Sequence, residues 1–309
     1  MYVQALVRDS LAGRAILLAA ALLLLSLSAA QAADVKWYTR VEDAQAAAAQ
    51  SGKPVYLFIF APSQKACQLM RTQTLSSPAI AAFLSANFEC CAVDSVLTVN
   101  KAIIDRYAWS VSKSEGGQVR FGSMPAHVFT NAKGDPYFTF WGYTPPEGFI
   151  VKLDQAKQIV ATRRALDANP NDARALADLG HVLLEVEDYD DGRKHLVRAK
   201  ELDPQNKAGA LEDATLDLAI LSIVEDPIRA GQELGRFMKD YPKSDRILEA
   251  TYWRAVCHYA QNTPAALRQA LDALAPFRQI GVNDPQYRSR WAIEADKLEL
   301  NIRAQLGGN

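Results

Sequence analysis

The pattern of apolar positions along the chain centres on one run, Val55–Phe60, which consists almost entirely of aromatic and branched residues. A run of this length without polar alternation predicts a strand that is buried on both faces. Ala61-Pro62 ends the run, and a helical pattern then opens at Gln64 and carries Cys67 in its first turn. The sequence therefore predicts a buried strand, a turn and a helix, in that order.

Strand and helix patterns alternate around this run. A short strand with Trp37 comes before an alanine-rich helix over residues 41–50, which Gly52 and Pro54 are expected to end. Phe88–Asp94 is a second apolar strand. Alternation of this kind indicates a core of parallel strands with helices packed against it.

The next landmarks are Met124-Pro125, an apolar strand over residues 126–130, and a turn at Lys133-Gly134 between two strands. In this order the elements resemble exported bacterial proteins of the thioredoxin-like family, and the resemblance covers residues 34–153. It implies an α/β fold with a central mixed sheet flanked by helices. It also implies a cis peptide bond before Pro125, in a loop that packs beside the Cys67 turn.

The resemblance implies a redox site as well, and here the sequence departs from the family. Its members carry Trp-Cys-x-x-Cys at this turn, where Cys67 matches the second cysteine and Gln64 stands in the place of the first, the nucleophile. Glutamine provides no thiolate, so a dithiol cycle cannot run. The predicted mouth of this degenerate QxxC site consists of Ser63, Gln64, Lys65, Ala66, Cys67, Met124 and Pro125.

Three features near this site are interpreted separately. Cys67 is either a small apolar core residue or a single thiol that forms mixed disulfides or senses oxidation. The segment 110–120 is rich in Ser, Lys, Glu and Gly, and we expect a surface loop there. His127 follows Pro125 on a strand, and we expect a hydrogen-bonded strand residue rather than a catalytic base.

After Phe149 the pattern is helical only, and one stretch resembles a tetratricopeptide repeat. Pro170 and Pro204 lie one 34-residue repeat apart. The repeat positions are occupied by Leu176, Leu179, Gly180, Leu183, Gly192, Leu196, Ala199 and Pro204. The resemblance implies an all-α solenoid of stacked helix pairs, in which Gly180 and Gly192 allow two helices to approach closely. Further pairs are predicted over 208–240 and 247–280.

Tetratricopeptide arrays bind partner segments in a concave groove lined by the first helix of each pair. In the clear repeat, the positions that match this groove are Arg174, Ala177, His181 and Leu184. The other interpretation is that these residues face solvent or the neighbouring domain. A last long helix is predicted to start at Asp284-Pro285 and to cap the solenoid.

Residues 1–32 are typical of a secretory leader. Arg8 and Arg14 precede an apolar core over residues 15–27, and Ala30-Gln31-Ala32 is an A-x-A cleavage pattern. The core is shorter than a membrane span of about 20 residues. We expect cleavage after Ala32 and a periplasmic or secreted protein; the alternative is an uncleaved anchor. The predicted division is leader 1–32, thioredoxin-like domain 33–153 and helical repeats 154–309.

Charge and composition narrow the function classes. The formal net charge is −1, and −2 once the leader is removed, which does not favour nucleic acid or an anionic membrane surface. No later segment is apolar enough to span a membrane. The four cysteines and four histidines show neither disulfide nor metal-ligand spacing. We therefore expect no metal and no cofactor.

These observations favour a periplasmic scaffold over a working oxidoreductase. The first hypothesis is an interaction protein that uses its thioredoxin-like surface and its repeats to hold a protein or peptide partner. The alternative is thiol–disulfide exchange or redox sensing by Cys67 alone. Gln64 separates the two hypotheses, because it argues against dithiol turnover.

Overall fold

The computed structural model describes residues 35–108, 110–114, 117–280 and 289–307, with the backbone alone for 110–114 and 117–121. The predicted leader and the predicted helix start at Asp284-Pro285 lie outside the described residues. The chain divides into two compact units between Arg164 and Ala165. This division and the predicted domain boundary at 153 and 154 fall within one helix, Pro146–Ala168.

The N-terminal unit is built on a five-stranded mixed sheet. The strands of this unit are β1 Trp37–Tyr38, β2 Val55–Phe60, β3 Glu89–Asp94, β4 Ser110–Ser114, β5 Gly117–Phe121, β6 Ala126–Thr130 and β7 Pro136–Trp141. The main sheet has the order β1-β3-β2-β6-β7. β3 runs parallel to β1 and β2, whereas β6 runs antiparallel to β2 and β7 runs antiparallel to β6.

Helices cover both faces of this sheet. They are α1 Val41–Ser51, α2 Lys65–Leu69, α3 Pro78–Asn87, α4 Lys101–Tyr107 and α5 Pro146–Ala168. α2 continues into a π-helical turn, Met70–Thr74. As predicted, α1 ends at Gly52, whose φ of 73° is in the left-handed region, and its amide donates to the Ala48 carbonyl oxygen.

The central strand β2 contributes to two cores. Val55, Leu57 and Ile59 belong to a cluster that also contains buried residues of α1. Tyr56 and Phe58 belong to a second cluster that contains buried residues of α3 and α5. All five of these strand residues are at most 2% exposed. The prediction of a strand buried on both faces is therefore confirmed, because consecutive side chains of a strand point to opposite faces.

The segment expected to be a surface loop has a different backbone. Residues 110–114 and 117–121 form the antiparallel pair β4 and β5, with Ser110 opposite Phe121 and Ser114 opposite Gly117. The loop prediction for 110–120 is therefore wrong. The prediction rested on the polar composition of the segment. Its apolar residues, Val111, Val119 and Phe121, alternate with polar ones, and this alternation favours a two-stranded ribbon.

The C-terminal unit is helical. Its helices are α6 Ala173–Glu185, α7 Tyr189–Leu202, α8 Ala210–Leu221, α9 Pro227–Asp240, α10 Ile247–Ala260, α11 Pro264–Ala273, α12 Ala275–Arg278 and α13 Arg290–Gly307. From α6 to α11 each helix contacts the next along the chain, and α13 contacts α10 and α11. This succession of contacting helices is consistent with a helical solenoid. In the described part of the chain, no helix combines the length and apolarity that crossing a membrane requires.

Side-chain caps explain where several of these helices begin. The carboxylates of Asp172 and Asp226 accept hydrogen bonds from the amides of Ala175 and Arg229, at 3.1 and 3.0 Å. The Thr263 hydroxyl accepts one from the Ala266 amide at 3.2 Å. Each cap satisfies an amide that has no partner within its helix.

The pairing of α6 with α7 depends on two glycines. A Cβ atom at Gly180 would lie 2.6 Å from Leu196 Cγ and 3.1 Å from the Gly192 carbonyl oxygen. A Cβ atom at Gly192 would lie 2.7 Å from Leu184 Cδ2 and 3.1 Å from the Gly180 carbonyl oxygen. The predicted close approach at these glycines is confirmed, and it leaves no space for a larger side chain at either position.

Gly180→Ala is expected to lower the free energy of unfolding of the helical unit by about 1–3 kcal/mol, because the new methyl group must displace Leu196 and the α7 backbone. The matched control is Gly235→Ala in α9, where the nearest atom, Arg254 Nε, is 3.8 Å from the added Cβ. There the higher helix propensity of alanine should stabilise the unit by about 0.5–1 kcal/mol. Denaturant unfolding followed by circular dichroism measures both variants. Equal effects would contradict the steric argument.

Candidate functional site

The candidate site begins where β2 leaves the sheet. The Gln64 amide donates to the Ala61 carbonyl oxygen at 3.0 Å and closes a turn, and the Gln68 amide donates to the Gln64 carbonyl oxygen at 3.1 Å as the first helical hydrogen bond. Gln64 is the N-cap residue of α2, with an extended backbone and no side-chain cap. Cys67 is the third residue of the helix. The sequence-predicted strand, turn and helix are thus present.

The predicted proline loop lies at the same end of the sheet. Ile59 pairs with Ala126 in antiparallel register, so the residues after Ile59 and those before Ala126 leave the sheet together. The Met124-Pro125 peptide bond is cis, as expected. The Pro125 carbonyl oxygen accepts a hydrogen bond from the Gly142 amide at 2.8 Å. The β2–α2 turn and the cis-proline turn therefore share one edge of the sheet.

The site residues divide into an exposed and a buried set. Ser63, Gln64 and Lys65 are exposed, and Ala66 is half-buried. Cys67, Met124 and Pro125 are buried, and the first two belong to the same core cluster. The surface of this site is consequently polar, and its only thiol lies beneath that surface.

Cys67 is poorly placed for nucleophilic chemistry. It is 0% exposed, and its Sγ accepts a hydrogen bond from the Ala61 amide at 3.4 Å. Burial raises the pKa of the thiol, and this hydrogen bond offsets only part of that effect. The thiolate, which is the reactive form, is therefore disfavoured at neutral pH.

The other three cysteines are also free and buried. Burial raises the pKa of Cys91 and of Cys257 to about 12, and raises the pKa of Cys90 further. Cys90 and Cys91 belong to different core clusters, as expected for neighbours on a strand. These thiols act as small apolar core residues.

The segment after β3 supplies an apolar surface that the sequence analysis did not identify. Phe60 and Asp94 are parallel partners, so β3 ends at the same edge as β2. Beyond it, Val96, Leu97 and Val99 have exposed fractions of 69%, 52% and 83%. We call these three residues the apolar edge patch. The sequence did contain a signal for this patch. Three apolar residues follow a buried strand, in a stretch that has neither helical nor strand periodicity.

One comparison with known protein families agrees with this arrangement. A family model described as thioredoxin-like matches residues 36–132, which include β1–β6, the α2 turn and the cis-proline loop. Residues 36–132 are a thioredoxin-like domain. The matching solved structures include a solution structure of a thioredoxin from Thermus thermophilus, with 21% identity, coverage of 44% of this chain and 94% of that chain, and a TM-score of 0.35. No curated protein resembles the chain closely enough to count as a match.

His127 lies inside the thioredoxin-like domain and is 0% exposed. Its Nε2 is 3.2 Å from the Gly142 carbonyl oxygen, which can only accept, so Nε2 carries the proton. Nδ1 then accepts from the Tyr56 hydroxyl at 2.8 Å. Burial lowers the pKa of His127 to about 3, although the hydrogen bond to Gly142 acts in the opposite direction. The prediction of a hydrogen-bonded strand residue is confirmed.

The four groove candidates in the helical unit fall into two pairs. Ala177 and Leu184 are 0% and 3% exposed and belong to a core cluster with Leu196 and Ala199. The prediction that they line an open groove is wrong, because the neighbouring helices cover these positions. Arg174 and His181 lie on the partly exposed side of α6.

Arg174 and His181 belong to an ionic network across α6, α8 and the start of α10. Arg174 Nη1 is 2.6 Å from Asp213 Oδ2, and His181 Nδ1 is 2.8 Å from Asp217 Oδ2. Arg246 contacts both Asp213 and Asp217, and its Nε lies 2.9 Å from a Glu249 carboxylate oxygen. The network therefore joins the first helices of three successive pairs.

Asp217 is the buried centre of this network, with a side chain that is 2% exposed. Burial by itself would raise its pKa, but the charges of Arg246 and His181 and their hydrogen bonds outweigh burial and hold the pKa below its usual range. The sequence analysis missed Asp217. The sequence did contain a signal for it, because a carboxylate lies between Leu216 and Leu218 in an apolar helix. A charge that is buried there requires a partner of opposite charge.

His127 provides a pH test of the thioredoxin-like domain. The unfolded chain binds a proton near pH 6.5 and the folded domain only near pH 3, so protonation favours unfolding. The contribution of His127 to the free energy of unfolding is therefore fully present above about pH 6.5 and is lost as the pH falls toward 3. The loss between pH 7 and pH 5 should be about 2 kcal/mol. Nitrogen NMR of the imidazole at pH 5 should show a neutral ring protonated at Nε2.

The NMR signal of the His127 imidazole can be assigned because it should be missing from the spectrum of the His127→Gln variant. Its glutamine amide cannot titrate, so the corresponding part of the pH dependence of unfolding should disappear as well. Titration of the His127 ring near pH 6.5 in the folded protein would contradict the buried, neutral assignment.

Proposed function

We propose that this chain is a periplasmic interaction protein whose thioredoxin-like domain holds a protein or peptide partner without dithiol turnover. One observation carries the proposal: an exposed Gln64 stands at the turn where the nucleophilic cysteine belongs, while Cys67 is 0% exposed. A site without an accessible thiolate cannot form the mixed disulfide that begins thiol exchange. What remains at this edge is a surface for binding.

The composition of the edge favours an extended peptide with apolar side chains. The β2–α2 turn contributes exposed polar groups from Ser63 to Lys65, and the apolar edge patch lies at the same end of the sheet. Contiguous exposed apolar residues flanked by polar ones are typical of protein interaction sites. Backbone hydrogen bonds and small apolar pockets would hold such a peptide.

The helical unit is proposed to be a tetratricopeptide-like array that contributes a second contact. Its support is the close glycine pairing of α6 with α7 and the succession of contacting helices. Arg174 and Asp178, with side chains 36% and 48% exposed, provide charged groups at the edge of the ionic network. A partner segment of mixed charge would complement this surface.

The burial of Cys67 weighs against the alternative, exchange or sensing by a single thiol. A sensing cysteine is typically accessible and has a lowered pKa, whereas this thiol is buried and its pKa is raised. The periplasmic location is proposed from the sequence pattern of residues 1–32.

The purified protein is expected not to accelerate the reduction of insulin by dithiothreitol above the uncatalysed rate, because it lacks a nucleophilic thiolate. Gln64→Cys should introduce measurable turnover, since the turn, the start of α2 and the cis-proline loop are already in place. Gln64→Ser is the matched control and should remain inactive, because a hydroxyl does not exchange with disulfides. The insulin precipitation rate is the measurement.

The variant Cys67→Ala separates the two functions. In the Gln64→Cys background it should abolish turnover, because the resolving thiol is lost. Robust turnover by the unmodified protein that Cys67→Ala abolishes would favour single-thiol chemistry and overturn the proposal.

Expression of the full chain in a bacterium with a periplasm is expected to yield a soluble periplasmic protein that begins at Ala33. The intact mass of the recovered protein measures the cleavage site. An Ala30→Leu, Ala32→Leu double variant should block processing, because the cleavage site requires small residues. The full-length mass of the unmodified chain in the membrane fraction would instead indicate an uncleaved anchor.

A further inference from the structure

A cleft lies on the face of the sheet that carries Phe58 and Phe60, and neither Gln64 nor Cys67 lines it. Its volume is about 330 Å³, within the range of roughly 300–1,000 Å³ that is common for small-molecule sites. The apolar part of the lining consists of Trp37, Phe58, Phe60, Leu75 and Ala92, and the polar part of Arg71 and Ser76. The cleft lies entirely within the N-terminal unit.

The sheet itself explains why this space is open. β1 ends at Tyr38, which pairs with Cys91, so β1 stops one residue short of Ala92 on the neighbouring strand β3. Ala92 pairs with Phe58 and contributes only a methyl group at this point. A short edge strand beside a small residue thus leaves space next to the half-buried Phe60 ring, and the buried Phe58 ring forms the floor of that space.

Arg71 places one positive charge at this apolar cleft. It lies in the π-helical turn that follows α2, a type of distortion that often occurs at functional sites. Its guanidinium carbon is 5.4 Å from the centroid of the Phe60 ring, within cation–π range, and Arg71 itself lines the cleft. Among the described residues, no carboxylate lies within ion-pair distance of Arg71, and none lines the cleft.

We propose that this cleft binds an apolar carboxylate, with an aromatic or short acyl group between Trp37, Phe58 and Phe60 and the carboxylate on Arg71. Burial of the apolar group supplies most of the affinity, because the walls are hydrophobic. The bidentate pairing of a carboxylate with a guanidinium selects the anion over a neutral analogue. The site uses neither Gln64 nor Cys67, so it does not depend on the function proposed above.

Two sources present this chemistry: a free acid and the C-terminal residue of a peptide. The probes are 4-phenylbutyrate, its alcohol 4-phenylbutanol, and one peptide ending in Phe, with a free or an amidated C-terminus. Isothermal titration calorimetry with the full chain after leader removal measures each of them. We expect saturable binding of at least one carboxylate with a Kd at or below about 1 mM.

Three variants in the cleft and one control variant outside it test the geometry. Arg71→Gln should weaken carboxylate binding about tenfold and leave the alcohol unchanged, because only the charged hydrogen bonds are lost. Arg71→Lys should weaken carboxylate binding by a smaller factor, since lysine keeps the positive charge. Arg268→Gln removes an exposed cation from α11 in the other unit and should change nothing. Ala92→Leu should fill the cleft and abolish binding of acid and alcohol alike, with no loss of thermal stability.

The outcomes distinguish the two sources of the carboxylate and also test the proposal itself. Tighter binding of the free-terminus peptide than of 4-phenylbutyrate, with no binding of the amide, assigns the site to a chain terminus. Equal or tighter binding of 4-phenylbutyrate assigns it to a free acid. Absence of saturable binding by both carboxylates, equal affinity for acid and alcohol, or insensitivity to Arg71→Gln would each overturn the proposal. The Arg71 variants keep the test decisive even if Ala92→Leu does not fold.

Discussion

The structure of the N-terminal unit depends on the complete burial of β2. Its side chains form part of two separate cores, and its backbone pairs with β3 on one side and with β6 on the other. A strand in this position cannot shift by one residue, because a shift would exchange the contents of the two cores. The register of β2 therefore also determines where the Gln64 turn, the cis-proline turn and the end of β3 meet.

The chemistry of the site follows from the same burial. Cys67 is buried in the core to which β2 contributes, and burial raises the pKa of its thiol. Gln64 occupies the exposed position and offers only an amide. The described residues of this edge include no accessible thiol, and the apolar edge patch adds exposed hydrophobic area to it. Our proposal of binding without exchange rests on this combination.

The helical unit relies on contacts of a different kind. Close approach at Gly180 and Gly192 brings α6 and α7 together, and the Asp217 network joins α6, α8 and α10. Breaking one member of such a network leaves a buried charge without a partner, which is costly. Arg174 and His181 consequently have a structural role in addition to any contact with a partner, so substitutions there would report on both.

The family resemblance implied the cis bond before Pro125. The sequence by itself determined the order of the strands in the main sheet and of most helices, the turn at Gln64 and the glycine contact of α6 with α7. These features depend on local periodicity and on residue types with strong backbone or size requirements. Only the tertiary structure decided that Ala177 and Leu184 are buried, that residues 110–114 pair with residues 117–121, and that Asp217, Arg246 and His181 meet. It alone revealed the cleft beside Arg71. Such features depend on which distant side chains become neighbours in the fold. His181 and Asp217, for example, are 36 positions apart, and no local sequence pattern indicates their contact.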